Sequence, residues 1–528
     1  MSQFDAIVVG TGFGGAMAAY PLVHAGWRVL MLERGGWVQR GPHNWAQDGV
    51  KDLSPHYDMS APYAVRGEDR MKLGSTSCVG GQSVFFGGVT LRFRERDFTS
   101  SAEERAAGAA WPFGYDELEP YYTAAEHIIG VAGAPGSDPT EPWRSAPYPQ
   151  VVPPLSRTSC RIADAAVRVG FHPFRLPLAV NYGQGGGRRG CVGCNSCDCY
   201  ACGISAKNDM ASAVIPDLIR RGMELITDTA VVRLRRSGRR ISGVDCVDVR
   251  TGERTCHSAR HIIVAAGALA TPQLLLSSGA ATWHPGGQLI GRMLMRHCNA
   301  IVFGVFAREL DPAREFHKQL GINDLYFGHA SVREPVGRLG TIQQIHAPPP
   351  GLVPAALRGM LRGAGDRLLE HMTGLITIAA DQPQLDNRIE PTAARDALGM
   401  PGATVHHRYT ARDRAARAAL LHAARAVLYE AGAVLTITRN IRTFSHALGT
   451  VRMGVRPDSS PLDEECRYRG ADNLYVTDAS ALPTSGGVNP SLTIAALALR
   501  AGSLLAGSTA TALHRSVGNT IIPEVIHA

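Results

Sequence analysis

The stretch FDAIVVGTGFGGAMAAYPLVHAGWRVLMLE, residues 4–33, decides the fold. Ala6 to Val9 is a short apolar β run, Gly10, Gly12 and Gly15 follow as G-x-G-x-x-G, and Ala16 to Ala25 reads as a helix. Gly26 ends that helix, Arg28 to Leu32 gives a second strand, and Glu33 closes the unit. Glycines at this spacing let backbone amides approach a pyrophosphate at a helix N-terminus, where the helix dipole favours negative charge. A carboxylate after the second strand accepts hydrogen bonds from an adenosine ribose. The reading is a dinucleotide site on a βαβ unit. Pro21 breaks a local rule, since a proline inside a helix is expected to kink it at about 3 kcal/mol.

At 528 residues the chain is too long for one ordinary core, so two joined domains are expected. A hydrophobic fraction of 45% and a charged fraction of 19% describe a globular protein rather than a disordered one. The net charge of +8 is fed partly by RRSGRR, Arg235 to Arg240. No aromatic residues interleave with that cluster, so it reads as a solvated turn and not as a nucleic-acid site. No run approaches the roughly 20 apolar residues that a membrane span requires. Strand-like sequence begins within four residues of Met1, which leaves no room for a leader and predicts a cytoplasmic protein. Eleven cysteines in that compartment point to thiols or metal ligands rather than disulfides.

Further segments extend the cofactor reading. CVGGQSVFFGGVTLRF, Cys78 to Phe93, is rich enough in glycine to wrap a second face of a large cofactor; a tight turn between strands is the plainer reading. LITDTAVVRL, Leu225 to Leu234, reads as two strands and a turn, and His261 to Gly279 as strand, small-residue turn and helix. Near the C-terminus NLYVTDASALPTSGGVNPSLTI gives a strand, an acidic turn at Asp478, a loop, and a helix from about Pro490. His446, in SHALGTVRMG, precedes Asn489 by 43 residues.

Taken in order, VVGTGFGG…LERGG, VGGQS, WPFGYDELEPYYTAAEHIIGVAG, GALATPQLLLSSG, IGRMLMRH, SHALGTVRMG and VTDASALPTSGGVNPSLTI resemble the glucose–methanol–choline (GMC) oxidoreductases, and the likeness runs through nearly the whole chain. The resemblance implies an α/β fold. A Rossmann-like FAD-binding domain would be assembled from residues 1–100, 205–300 and 440–528. An α+β substrate domain with a mostly antiparallel sheet would take 101–204, with the cysteine-rich loop, and 301–439. The β-rich runs IVFGVFA, TIQQIHA and LITIAA and a helix over about Ala411 to Glu430 agree with this. Ala347 to Met372 reads as a packed amphipathic surface helix, with an active-site lid as the second choice.

The resemblance also implies roles. His446 matches the active-site histidine and Asn489 the position that is His or Asn in relatives. A neutral imidazole can take the proton of an alcohol while a hydride leaves for flavin N5. Gly10, Gly12, Gly15 and Glu33 would hold the ADP part, and the Val232 backbone would read the adenine. Gly81 and Ser83 would lie along the pyrophosphate and flavin, and Asp478 and Thr493 around the ribityl chain and the ring. Phe85 stands where some relatives attach FAD through a histidine, so non-covalent FAD is expected.

Cys191, Cys194, Cys197 and Cys202 form C-x2-C-x2-C-x4-C, with Cys199 inside it. The spacing is near the bacterial ferredoxin pattern without matching it. An iron–sulfur cluster, a zinc site and reduced structural thiols all remain readings of this run. A cluster would imply a quinone or redox-protein acceptor; otherwise oxygen serves. Several loops, LPLAVNYGQGGGRRGC and AADQPQLDNRIEP among them, resemble bacterial enzymes acting on sugar or aminosugar hydroxyls, including those of aminoglycosides. Alternatives are a bulky lipophilic or aromatic alcohol, or a lyase of the same family without net oxidation.

Overall fold

Phe4–Val9 and Val29–Leu32 pair in parallel around the helix Phe13–His24, as the βαβ reading requires. Their other neighbours come from far along the chain: Ala259–Val264 beside Phe4–Val9, Leu474–Val476 beyond it, and Glu224–Ile226 beside Val29–Leu32. The result is a five-stranded sheet in which every pairing is parallel. Ile7, Val8, Leu30, Ile262 and Leu474 are fully buried, as in a parallel sheet covered on both faces. This computed structural model describes residues 4–510 apart from 46–56, 69–70, 102–103, 106, 184–186, 195, 311–315, 317, 329–337 and 347–368. Most of the helix expected over Ala347 to Met372 therefore lies outside the described residues.

Pro21 does not end the first helix, which continues to His24. The helix Ser491–Ala506 packs along it, and Gly502 comes so near Ala18 and the Pro21 ring that a Cβ there would collide with both. The proline sits in the final turn, where the hydrogen bond it removes is one of the last the helix makes.

A second sheet is antiparallel throughout, in the order Ala433–Asn440, Ala300–Phe306, Met372–Ala379, Gly340–His346, Leu320–Ile322 and Pro173–Arg175. Arg157–Val169 and Ala411–Glu430 cover one of its faces, where Ile162, Ala165, Leu420, Ala424 and Val427 share a core with Ala300, Val302 and Leu375. Thr410 and Asp413 close the start of the longer helix as a reciprocal capping box.

Three segments meet between the sheets. Leu448 forms a bridge with Met295, Gly449 donates to the carbonyl of Ala479, and Val451 donates to that of Ser480. This stitching brings residues 293–297, 446–451 and 478–489 together.

Candidate active site

The glycine turn shows directly why it needs its glycines. Gly10 has a φ of +99°, and a Cβ there would strike the carbonyl oxygen of Ala265. A Cβ on Gly15 would strike the carbonyl of Gly10. Gly12 differs: its Cβ would meet no atom within 4 Å, so the space beside it is open. The helix starting at Phe13 has neither a side-chain cap nor an acidic residue in its first turn. Its leading amides and positive dipole end are thus left for a bound anion.

Glu33 is buried beside this turn. Its Oε2 accepts from Thr11 N at 3.2 Å and Thr11 Oγ1 at 2.6 Å, and its Oε1 from Gly35 N at 3.0 Å. Burial raises its pKa against the pull of these bonds. A carboxylate oxygen takes two hydrogen bonds, so Oε1 retains capacity for a ribose hydroxyl. Val232 lies in a bulge of the strand Thr229–Ser237: Val231 faces Cys246 and Arg233 faces Asp245, which leaves the Val232 backbone outside the ladder. Backbone groups released in this way can meet an adenine edge. The residues fit an FAD.

Gly81 lies against Gly12, and Gly80 N donates to Thr11 Oγ1 at 2.9 Å, so the second glycine loop rests on the first turn. Three expected cofactor side chains are engaged by the protein. Ser83 Oγ donates to Gly80 O at 2.6 Å and accepts from Met210 N at 2.9 Å. Asp478 accepts four hydrogen bonds, from Gly267 N and Thr271 Oγ1 on one oxygen and from Ser480 N and Oγ on the other, which saturates it. The Thr493 hydroxyl pairs with Tyr122 OH at 2.7 Å. These side chains shape the loops around the cofactor region.

His446 and Asn489 each keep some accessible surface, while Leu448 and Val488 near them are fully buried. A third histidine joins their segments. His446 Nδ1 is 3.1 Å from His297 Nδ1, and His297 Nε2 is 3.0 Å from the carbonyl oxygen of Ser485, in the loop leading to Asn489. Gln343, on the strand Gly340–His346, donates through Nε2 to Asn489 Oδ1 at 2.7 Å. Burial, reinforced by His297, pushes the pKa of His446 down to about 3, and burial lowers that of His297 against the pull of Asp381. Both rings are therefore neutral near pH 7, the form in which an imidazole accepts a proton.

His297 has a φ of 58°, a conformation that costs a non-glycine residue about 1–3 kcal/mol. Asp381 holds it there by accepting from Arg296 N at 2.8 Å and His297 N at 3.1 Å, while Tyr409 OH donates to the His297 carbonyl at 2.7 Å. Neither His297 nor Gln343 stands out in the sequence as a site residue. They lie 149 and 146 residues from the groups they touch.

The cysteine run borders this region without assembling the expected ligand set. Among the described residues no three His, Cys, Asp or Glu side chains are placed to hold a metal ion. Cys194 and Cys199 are exposed, Cys191 and Cys202 half-buried and Cys197 buried, and none of the five forms a disulfide. The loop is knit by Lys207 instead, whose buried ammonium donates to the carbonyls of Phe86, Cys197 and Tyr200. Burial raises the thiols of Cys191 and Cys197 to about 11 and about 12, so both stay protonated. The loop contributes a carboxylate: Asp198 pairs with buried Lys318, and the pair presses so closely on Gly87 that any Cβ there would collide with it. His346 Nε2 is 3.9 Å from the other Asp198 oxygen.

Two models described as GMC oxidoreductase match residues 4–299 and 383–498. Paromamine 6'-oxidase of Streptomyces fradiae is 30% identical over 520 residues, covering 96% of this chain and 91% of the relative. The 6'''-hydroxyparomomycin C oxidase of Streptomyces lividus is 30% identical over 531 residues, covering 96% and 92%. Among solved structures, pyridoxine 4-oxidase from Mesorbium loti superposes with a TM-score of 0.67 at 19% identity, covering 96% of this chain and 100% of that one. No helix among the described residues is long and apolar enough to cross a membrane. With both halves of one family matched along a chain that is folded around a dinucleotide turn, the protein belongs to the GMC oxidoreductases and is an FAD-dependent alcohol oxidoreductase.

Proposed function

We propose that the protein oxidises a hydroxyl of a sugar, aminosugar or aminoglycoside-like substrate, with His446 as the base and Asn489 as the group that holds the reacting oxygen. FAD, when bound, accepts the hydride. The observation that carries the assignment of the base is a neutral imidazole that keeps some accessible surface, linked through His297 to the loop that leads to an amide held by Gln343. Asn489 spends its carbonyl on Gln343, so its amide N–H groups are left to donate to the substrate oxygen as negative charge develops there. His446 takes the hydroxyl proton as the C–H bond breaks.

Two things support a hydroxyl-rich substrate over a lipophilic one. Relatives at 30% identity are named for oxidation of paromamine and a hydroxyparomomycin. The Asp198–Lys318 pair, with His346 near it, puts charge close to the base, since the Lys318 ammonium helps to lower the pKa of His446. FAD is bound without a covalent link in this reading, because Phe85 offers no nucleophile. Anaerobic mixing of the holoenzyme with an alcohol panel tests the substrate class. Sugar and aminosugar alcohols should bleach the flavin faster than aromatic or sterol-like alcohols. The reverse order would reject the class, and no bleaching by any alcohol would favour a lyase.

A further inference from the structure

The carbonyl oxygen of Ser485 can only accept a hydrogen bond, so the His297 nitrogen facing it, Nε2, carries that ring's proton. His297 is neutral, so its Nδ1 is bare and acts as an acceptor. The nitrogen facing it, Nδ1 of His446, must then carry the proton of the second ring. That leaves Nε2 of His446 bare. We infer that His297 is a positioning residue that fixes the tautomer of His446, so that Nε2 is always the nitrogen free to take the substrate proton. The inference rests on His446 being the base.

The surroundings give His297 no other evident task. Its backbone is clamped in a left-handed conformation by Asp381 and Tyr409, which aims the ring between His446 and Ser485. Asp381 and Asp97 act on His297, while Asp381 and Lys318 act on His446; none of them supplies a bond to His446 Nδ1. Without an acceptor at that position the two tautomers of a neutral imidazole compete, and the one protonated at Nε2 cannot accept a proton at that nitrogen. Gln343 performs the complementary task for Asn489, occupying the carbonyl so that the donors remain. One partner is thus fixed as acceptor and the other as donor, the pair of roles that one hydroxyl group can satisfy at once.

Two holoenzyme variants test this. His297→Leu keeps bulk and removes the acceptor; His297→Gln returns an amide oxygen that can accept from His446 Nδ1. With flavin content and melting temperature checked first, the Leu variant should reduce its flavin about tenfold to a hundredfold more slowly at saturating alcohol, with KM within about threefold. The Gln variant should recover to within about threefold of wild type. Equal loss in both variants, or a rise in KM without loss of rate, would mean that His297 only packs the site and would overturn the inference. His446→Ala run alongside separates the two claims. If that variant is slow while His297→Leu behaves as wild type, the tautomer inference alone fails; if His446→Ala is itself normal, the assignment of the base fails.

Discussion

Replacing His446 by alanine should leave FAD bound and slow flavin reduction by substrate about a hundredfold or more. The side chain lies outside the glycine turn, the Glu33 carboxylate and the Val232 bulge, so its loss removes a proton acceptor without touching the dinucleotide region. The effect belongs in the rate of the anaerobic bleaching step, read by rapid mixing. The pH dependence follows from the same burial. His446 has its pKa depressed to about 3, with His297, Asp381 and Lys318 as the titratable groups acting on it. A depressed value means that the ring is already neutral well below pH 6, so the wild-type rate should stay level between about pH 5 and 8 and fall only in stronger acid. A rate that drops below about pH 6.5 would instead mean a base with an unshifted histidine pKa. An unchanged bleaching rate in the alanine variant would remove His446 from the reaction.

Gly12→Ala should weaken FAD binding about a hundredfold, roughly 3 kcal/mol, while leaving the apo-protein folded with its melting temperature intact. The reason is specific to this glycine. The protein itself leaves open space where a Cβ at Gly12 would go, whereas one at Gly10 or Gly15 would run into neighbouring carbonyls. A methyl group at position 12 therefore harms only what occupies that space from outside. Equilibrium dialysis of FAD with the variant, alongside thermal melts of apo-protein, separates the two effects. Normal affinity would mean that the pyrophosphate does not approach the turn there, and a collapsed fold would mean that the open space is needed by the protein.

The βαβ unit was legible because its signals are local: glycine spacing, two apolar runs and an acid within thirty residues. The parallel order of the central sheet was not, since Leu474–Val476 and Glu224–Ile226 join it by pairings that no window of sequence contains. Pro21 misled in the opposite direction. By its local rule it reads as a helix breaker, but the helix runs on to His24, with Gly502 of a helix nearly five hundred residues away close against the proline ring. The same division runs through the site. His446 and Asn489 were proposed from their motifs; His297 closes the IGRMLMRH motif, but nothing in that motif pairs it with His446, and Gln343 meets Asn489 from 146 residues away with no motif of its own. Asp478 and Ser83 were assigned by position, and no sequence pattern announces that Asp478 is saturated and Ser83 engaged by bonds within the protein. The cysteine spacing left a cluster, a zinc site and reduced thiols open, and among the described residues the cysteines form no three-ligand group, while Lys207 ties the loop through its carbonyls.

The chain should carry a flavin that an alcohol reduces while its hydroxyl proton goes to His446. The most direct test is an oxygen-free titration of the purified holoenzyme with the best alcohol from the panel, following flavin absorbance and product together. Complete bleaching is expected, with one carbonyl formed per flavin. A flavin that stays oxidised at every alcohol concentration, or that bleaches without carbonyl product, would contradict it.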